Sequence, residues 1–565
     1  MTGGPATNGA TVLLGAYDAK RCARRVHNEW DPTVPKGEWV LPAPIQLRVE
    51  AGLVHEQDVL GRLRAALGPD RYVDVSAADG RTAAVEATVA AMRSGAEVVI
   101  GGWLPDDVDG GRKGRPDLLV RVGAGYVPGE VKAHLMTRAA RKGALTWSGP
   151  AAPAVTGVLA GRAMRVSQRA DDFLQLAHYW RMLQACGHAA DSACGFVIGT
   201  DALPEIDPSG MVLVWHDLDR PAFTTYSRSR GSARRSALER YDHEHDFRVR
   251  VAGVAAARTG GADDPEPLVV PVFTDECTSC PWLDLCLTDA PDAASAQITS
   301  GTLSRREWLV LDRLGHASLA SLASLDPTDE AFLADYLPEV THLPDAPDRL
   351  AGVVRRARMI RDGVEMERIG TGPIPVPRAE VEVDFDLEWG VDQRVYLWGA
   401  LVHHGGSSQY RPIVSWEVVD EAGERALAGQ FVAWLRELLA EARSRGERVL
   451  VYHYSPVEAT QLKRVLGTTA VADLLPLFVD LHKLVSAHYF GAHGLGIKRV
   501  APAFGFHWRD DDPGGLQSQL WLEEARADGA DGARARRRLL DYNEDDVRAT
   551  AAVRTGLSQS PSTHR

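Results

Sequence analysis

Three cysteines, Cys277, Cys280 and Cys286, stand in C-x2-C-x5-C spacing, and a fourth, Cys22, lies 255 residues upstream. Only six cysteines occur in 565 residues, too few for a disulfide framework. Clustered in this way they read as ligands of one metal centre. A centre that takes both Cys22 and the triplet must bring the two ends of the first half of the chain together. Four thiolates suit an iron–sulfur cluster or zinc. Four protein ligands leave no open coordination position, so the expected role is structural. Cys186 and Cys194 read as buried thiols, although either could replace Cys22 as a ligand.

The chain is long enough for two to four domains. Its 45% hydrophobic and 25% charged content is that of a soluble globular protein. No apolar run reaches membrane-spanning length, and Met1 to Ala10 do not read as a signal peptide. A reducing, cytoplasmic setting without membrane contact is expected. The net charge of −13 argues against passive binding of a polyanion but is compatible with sites built from carboxylates.

Between Cys22 and the triplet lie Arg115-Pro116-Asp117 and Glu130-Val131-Lys132, on two segments that read as a hairpin joined by Gly123-Ala124-Gly125. Period-two geometry puts Glu130 and Lys132 on one face of the sheet. Asp117 and Glu130 could share Mg2+ or Mn2+, which hard oxygen ligands favour, and Lys132 could orient water and offset developing charge. Upstream, Gly52-Leu53-Val54-His55-Glu56 reads as the opening of a helix. His55 is either a further metal ligand or a satisfied structural histidine, and Glu56 is a competing carboxylate. Gln175 and Tyr179 are spaced i, i+4 on one helix, suited to positioning the site or a nucleic-acid backbone.

This order of His, Gly-Arg-Pro-Asp, Glu-Val-Lys and Gln-x3-Tyr resembles the PD-(D/E)XK nucleases of the RecB-like superfamily. The bracketing cysteines resemble its iron–sulfur branch, which includes AddB-type recombination nucleases and CRISPR-associated adaptation exonucleases. The resemblance implies a restriction-endonuclease-like domain whose 4Fe-4S cluster, held by Cys22, Cys277, Cys280 and Cys286, staples its two ends. It also implies action on single-stranded DNA ends, with a helicase among the candidate partners.

A second set of carboxylates lies near the C-terminus. Val381, Val383, Phe385, Leu387 and Trp389 alternate with Glu380, Glu382, Asp384, Asp386 and Glu388. This is a strand with one apolar and one acidic face: either an edge strand with a soluble face, or a row of acids whose repulsion a metal relieves. Asp386 and Glu388 are suited to bridging two metals. Glu458 follows a strand end at His453-Tyr454-Ser455-Pro456, and Tyr542 and Asp546 are i, i+4 on a helix. This set resembles the DEDD exonucleases of the ribonuclease H-like fold, in the form that has a catalytic Tyr. The second motif of that family ends in Asp. Here Glu458 stands at the place, and Asp480 is a rival for it.

The expected architecture is α/β and multidomain. Residues 1–298 form a RecB-like nuclease domain with the cysteine clasp, 299–378 a helical connector, and 379–565 a ribonuclease H-like exonuclease domain. The expected function is a Mg2+- or Mn2+-dependent nuclease, of exonuclease type, acting on single-stranded DNA ends in repair, recombination or end processing. In the first site His55, Asp117 and Glu130 hold metal and Lys132, Gln175 and Tyr179 assist. In the second, Asp386, Glu388, Glu458 or Asp480, and Asp546 hold two ions, with Tyr542 orienting water. The alternative is a nucleic-acid-binding scaffold with one or both sites inactive.

Overall fold

The alternating residues Val381–Trp389 form the central strand of a five-stranded sheet in the computed structural model. The structure describes residues 11–559 apart from 38, 168, 229, 230, 512 and 513, so Met1 to Ala10 lie outside the described residues. The strands run in the order Ser407–Val414, Val395–His404, Val381–Trp389, Val449–His453 and Phe478–Asp480. The first three are antiparallel neighbours, and the last two run parallel to the central one. Val381, Val383, Phe385 and Leu387 are buried in a core shared with the helix Glu421–Ser444, where Phe385 stacks on Phe431 with ring centroids 4.5 Å apart.

The acids on the other side of this strand meet the helix Gly529–Gln559. A soluble edge is thereby excluded: Glu382, Asp384 and Glu388 are all buried. Arg554 of that helix donates to both oxygens of Asp384, at 3.1 and 2.7 Å, and to Glu382. Arg378 at 2.6 and 3.0 Å and the Tyr452 hydroxyl at 3.0 Å complete the shell of Glu382. Buried carboxylates are tolerated where paired and hydrogen-bonded in this way.

The N-terminal half is built on an eight-stranded sheet. Its order is Tyr72–Asp74, Val98–Ile100, Leu118–Val122, Gly125–Val131, Cys194–Ile198, Leu213–Asp217, Thr137–Ser148 and Gly157–Val166. Leu118–Val122 and Gly125–Val131 pair as the expected antiparallel hairpin. Helix Ala170–Ala185 packs on Gly125–Val131 and its parallel neighbour Cys194–Ile198. Between the two sheets in sequence, a separate helical core gathers Val272, Ala294, Trp308, Leu311, Leu350 and Val353. Helix Ala43–Leu67 reaches across to helix Gly515–Ala525, where Arg48 donates to Gln519 at 3.2 Å. Among the described residues no helix is long and apolar enough to cross a membrane.

Two features differ from the sequence-based expectation. His55 and Glu56 lie in the middle of a helix rather than at its start, because Pro42 and Pro44 begin it at Ala43. Ser236 and Glu239 form a capping box that starts helix Ala237–Ala256, directly after strand Gly231–Arg235. One edge strand of the C-terminal sheet starts at Ser407. Gly405 and Gly406, at φ 58° and 83°, make a two-residue hairpin turn that pairs His404 with Ser407. Helix Glu421–Ser444 is capped by Asp420, which accepts from the Gly423 amide at 2.7 Å. The long hairpin Thr137–Ser148 with Gly157–Val166 was not anticipated.

Removing Arg554 would leave two buried carboxylates without their shared partner. Arg554→Met is expected to destabilise the C-terminal unit by about 3–5 kcal/mol. Adding Glu382→Gln and Asp384→Asn should recover most of the loss. Urea-dependent pulse proteolysis, scored on C-terminal fragments, measures this, and a loss under about 1 kcal/mol would mean that the pairs carry no such weight.

Candidate active site

The acidic face changes character halfway along the strand. Beyond Asp384 no arginine of the long helix follows; instead Asp546 is placed opposite Asp386 and Glu388. One ligand atom from each of these three lies within 4.8 Å of the other two, and among the described residues this is the one such group of acidic, His or Cys ligands. Burial and the Asp546 charge push Glu388 up to about 8. Burial, and then the charges of Asp546, Glu388 and Glu458, push Asp386 well above the carboxylate range. Asp546 is raised by burial, against the opposing pull of Lys498. Acids so reluctant to ionise together are stabilised as anions by a divalent cation, and their oxygens suit Mg2+ or Mn2+.

The surroundings hold these acids in place. Asn543 donates to Asp386 at 2.9 Å and accepts from the Tyr410 hydroxyl at 2.8 Å. Gly399 pairs with Asp386 across the sheet, and a Cβ there would sit 1.6 Å from the Asn543 Oδ1, so only glycine leaves room for that bridge. Ser518 donates to Glu388 at 3.2 Å, and the Trp508 indole to Asp546 Oδ1 at 2.7 Å. Lys498 forms an ion pair with the same Asp546 oxygen. The Tyr542 hydroxyl hydrogen-bonds Asp546, and burial together with the charges of Glu388 and Asp546 holds it far above its ordinary pKa. Tyr542 is therefore a donor.

Glu458 and Asp480 are separated by their partners. Glu458 is buried at the start of helix Val457–Leu466, accepts from Ser455 at 2.9 Å and lies 3.4 Å from His453 Nδ1. Its charge reaches Asp386, but it stands outside the close group of three. Asp480 caps helix Leu481–His488, accepting from the Lys483 amide at 3.3 Å. Lys498, Trp508, Asn543 and Ser518 were not singled out from the sequence. Asn543 adjoins Tyr542 and stands one turn before Asp546, a spacing that could have revealed it. Lys498 and Trp508 come from loop-rich sequence with no periodicity to point inward.

In the N-terminal half, the Val131 amide donates to Asp117 at 2.8 Å. Glu130 is buried, and its Oε2 accepts from Lys132 at 2.8 Å and from Gln175 at 2.7 Å. Its Oε1 is buried without a hydrogen-bond partner. Burial and the Asp117 charge raise Glu130 to about 8. Burial alone would lower Lys132, but Glu130, Tyr17 and Asp117 outweigh it and raise its pKa. The Tyr179 hydroxyl hydrogen-bonds Gln175 and stays protonated, held up by burial and Glu130. Lys20, which sequence reasoning missed, donates to Gln175 at 3.0 Å; burial and the Lys132 charge lower it to about 8. His55 bonds the Lys132 backbone, and its buried Nε2 has no partner. Glu56 is raised by burial and by Asp117, so it too faces this site. His55, Asp117 and Glu130 do not form a ligand group as tight as the C-terminal one.

Cys22, Cys277, Cys280 and Cys286 line a single cavity, with Arg24, Arg25 and Asn28 beside them. Cys22 precedes helix Ala23–Trp30, and its amide donates to the Glu276 carboxylate at 2.9 Å. Burial raises Cys286 to about 11 and also raises Cys280, and the neighbouring thiols add to both. Cys186 and Cys194 lie outside this cavity, at the end of helix Ala170–Ala185 and at the start of strand Cys194–Ile198.

A family model of the RNase H superfamily matches residues 384–558. No curated protein and no solved structure matches the chain significantly. The match contains Asp384, Asp386, Glu388, Glu458, Tyr542 and Asp546 and ends beyond Arg554. The protein is thus a mixed α/β multidomain chain whose C-terminal part is an RNase H-like domain.

Proposed function

We propose that the protein is a Mg2+- or Mn2+-dependent nuclease with two carboxylate centres that degrades DNA from single-stranded ends during repair, recombination or end processing. The observation that carries this reading is the group Asp386, Glu388 and Asp546 within the RNase H-like domain. A divalent ion bound there would supply Lewis acidity and a nucleophile competent at neutral pH. Asn543 and Ser518 hold Asp386 and Glu388 in orientation. Tyr542, kept protonated, donates its one proton to Asp546, so it can orient water only as an acceptor and does not take its proton.

The same proposal assigns residues 1–298 to a PD-(D/E)XK-type nuclease, 299–378 to a helical connector and 379–565 to the exonuclease domain. In the first of these, the unpartnered Glu130 Oε1 and His55 Nε2 are buried polar atoms that a cation would satisfy. Asp117 completes the set. Lys132 stays charged beside Glu130 and offsets charge that develops on a phosphate. Gln175 and Tyr179 fix Glu130 from the opposite side.

The cysteine cavity is proposed to hold a 4Fe-4S cluster as a structural clasp. Four converging thiolates suit either metal, and the iron, sulfide and zinc content decides between them.

Full-length protein with Mn2+ is expected to shorten end-labelled single-stranded DNA. Lys132→Ala and Asp386→Asn should each remove one of two activities by about 10²-fold or more, and the double variant should remove both. Cleavage unchanged in the double variant, or absent from the wild type, leaves the scaffold reading. Protein purified anaerobically is expected to be brown, with iron and acid-labile sulfide in equal amounts, both lost in Cys280→Ser. Colourless protein carrying zinc would remove the cluster and leave the nuclease reading standing.

A further inference from the structure

Lys498 stands where a two-ion site would need room. It follows Gly494-Leu495-Gly496 at the start of helix Ile497–Ala503, and its ammonium is paired with Asp546 Oδ1. It lies 4.2 Å from the Trp508 ring centroid and 4.4 Å from that of Tyr542. Two aromatic faces and a carboxylate therefore hold the cation in one place. The Trp508 indole donates to the same Oδ1 at 2.7 Å. Lys498 and Trp508 both hold Oδ1 and the Tyr542 hydroxyl bonds the same carboxylate, so Asp546 has little left to share between two ions.

The remaining carboxylates also fit one ion better than two. A pair of ions in a phosphodiesterase sits about 3.5–4 Å apart and needs bridging and terminal carboxylates on both sides. Here three carboxylates converge, and the fourth, Glu458, is engaged by Ser455 and His453 outside that group. With all four acids ionised, Lys498 is the cation in direct contact with the cluster. A second divalent ion shared by Asp546 would have to enter against that ammonium.

We propose that the C-terminal centre takes one divalent cation, held by Asp386, Glu388 and Asp546, and that Lys498 supplies the second positive charge. This replaces the two-ion arrangement expected from the sequence. The inference rests on the nuclease reading for its consequence in catalysis, but the number of ions bound does not depend on that reading. Lys498 is on this account a positioning residue. It fixes one oxygen of Asp546 and sets how many ions the acids accept.

The test is a count of Mn2+ bound by the full-length protein, read from the loss of the free-ion paramagnetic resonance signal. Asp546→Asn is expected to bind one ion fewer than the wild type. Lys498→Met should bind one ion more, and Lys498→Arg, which keeps the charge, should return the wild-type count. Loss of two ions in Asp546→Asn overturns the proposal, and so does an unchanged count in Lys498→Met with a wild-type circular dichroism spectrum. The Asp546→Asn arm decides the question if the Lys498 variants fail to fold. Absence of DNA cleavage by the wild type would defeat the nuclease reading while leaving these counts to decide the one-ion proposal.

Discussion

The contact between helix Gly529–Gln559 and the acidic face of strand Val381–Trp389 organises the C-terminal domain. A row of carboxylates facing a protein interior is prohibitive unless each finds a partner. The helix runs against the strand so that Arg554 reaches Glu382 and Asp384, while Asn543 and Asp546 reach the far end. The near half of the row is neutralised by arginine and becomes part of the scaffold. The far half is deliberately short of positive charge, and its raised carboxyl groups record that shortage. One ion pair thus decides which acids support the fold and which are left for a cation.

The N-terminal site uses a related economy of charge on a different sheet. Glu130 is the shared acceptor for Lys132 and Gln175, and Gln175 in turn is held by Lys20. Lys20 stands two residues before Cys22, so the segment that reaches the carboxylate site also reaches the cysteine cavity. The Arg48–Gln519 contact brings the helix that carries His55 against the helix whose Ser518 donates to Glu388. Each centre is thereby tied into the same body of the protein by side chains close to its acids.

Much of the fold was legible where local pattern and tertiary environment agree. The period-two alternation of Val381–Trp389 and the apolar runs around Gly123-Ala124-Gly125 identified strands that the structure contains. The hairpin Thr137–Ser148 was hidden because Arg138, Arg141 and Lys142 interrupt the apolar alternation in its first half, and its buried residues Leu145 and Ser148 lie only near its end. The helix starts at Glu421 and Ala237 are set by their caps, Asp420 and Ser236, which apolar periodicity alone does not reveal. In the site, the helix spacing of Tyr542 and Asp546 was visible. The division of the acids was not, because it depends on Arg554, two turns farther along, and on Lys498 and Trp508, which reach the acids through tertiary contacts.

The division of the acidic row is tested most directly by the manganese anomalous signal in crystals of the full-length protein grown with Mn2+. The account predicts density among Asp386, Glu388 and Asp546 and none between Glu382 and Asp384. Manganese bound between Glu382 and Asp384, or absent from the first group while bound elsewhere on this domain, would contradict it.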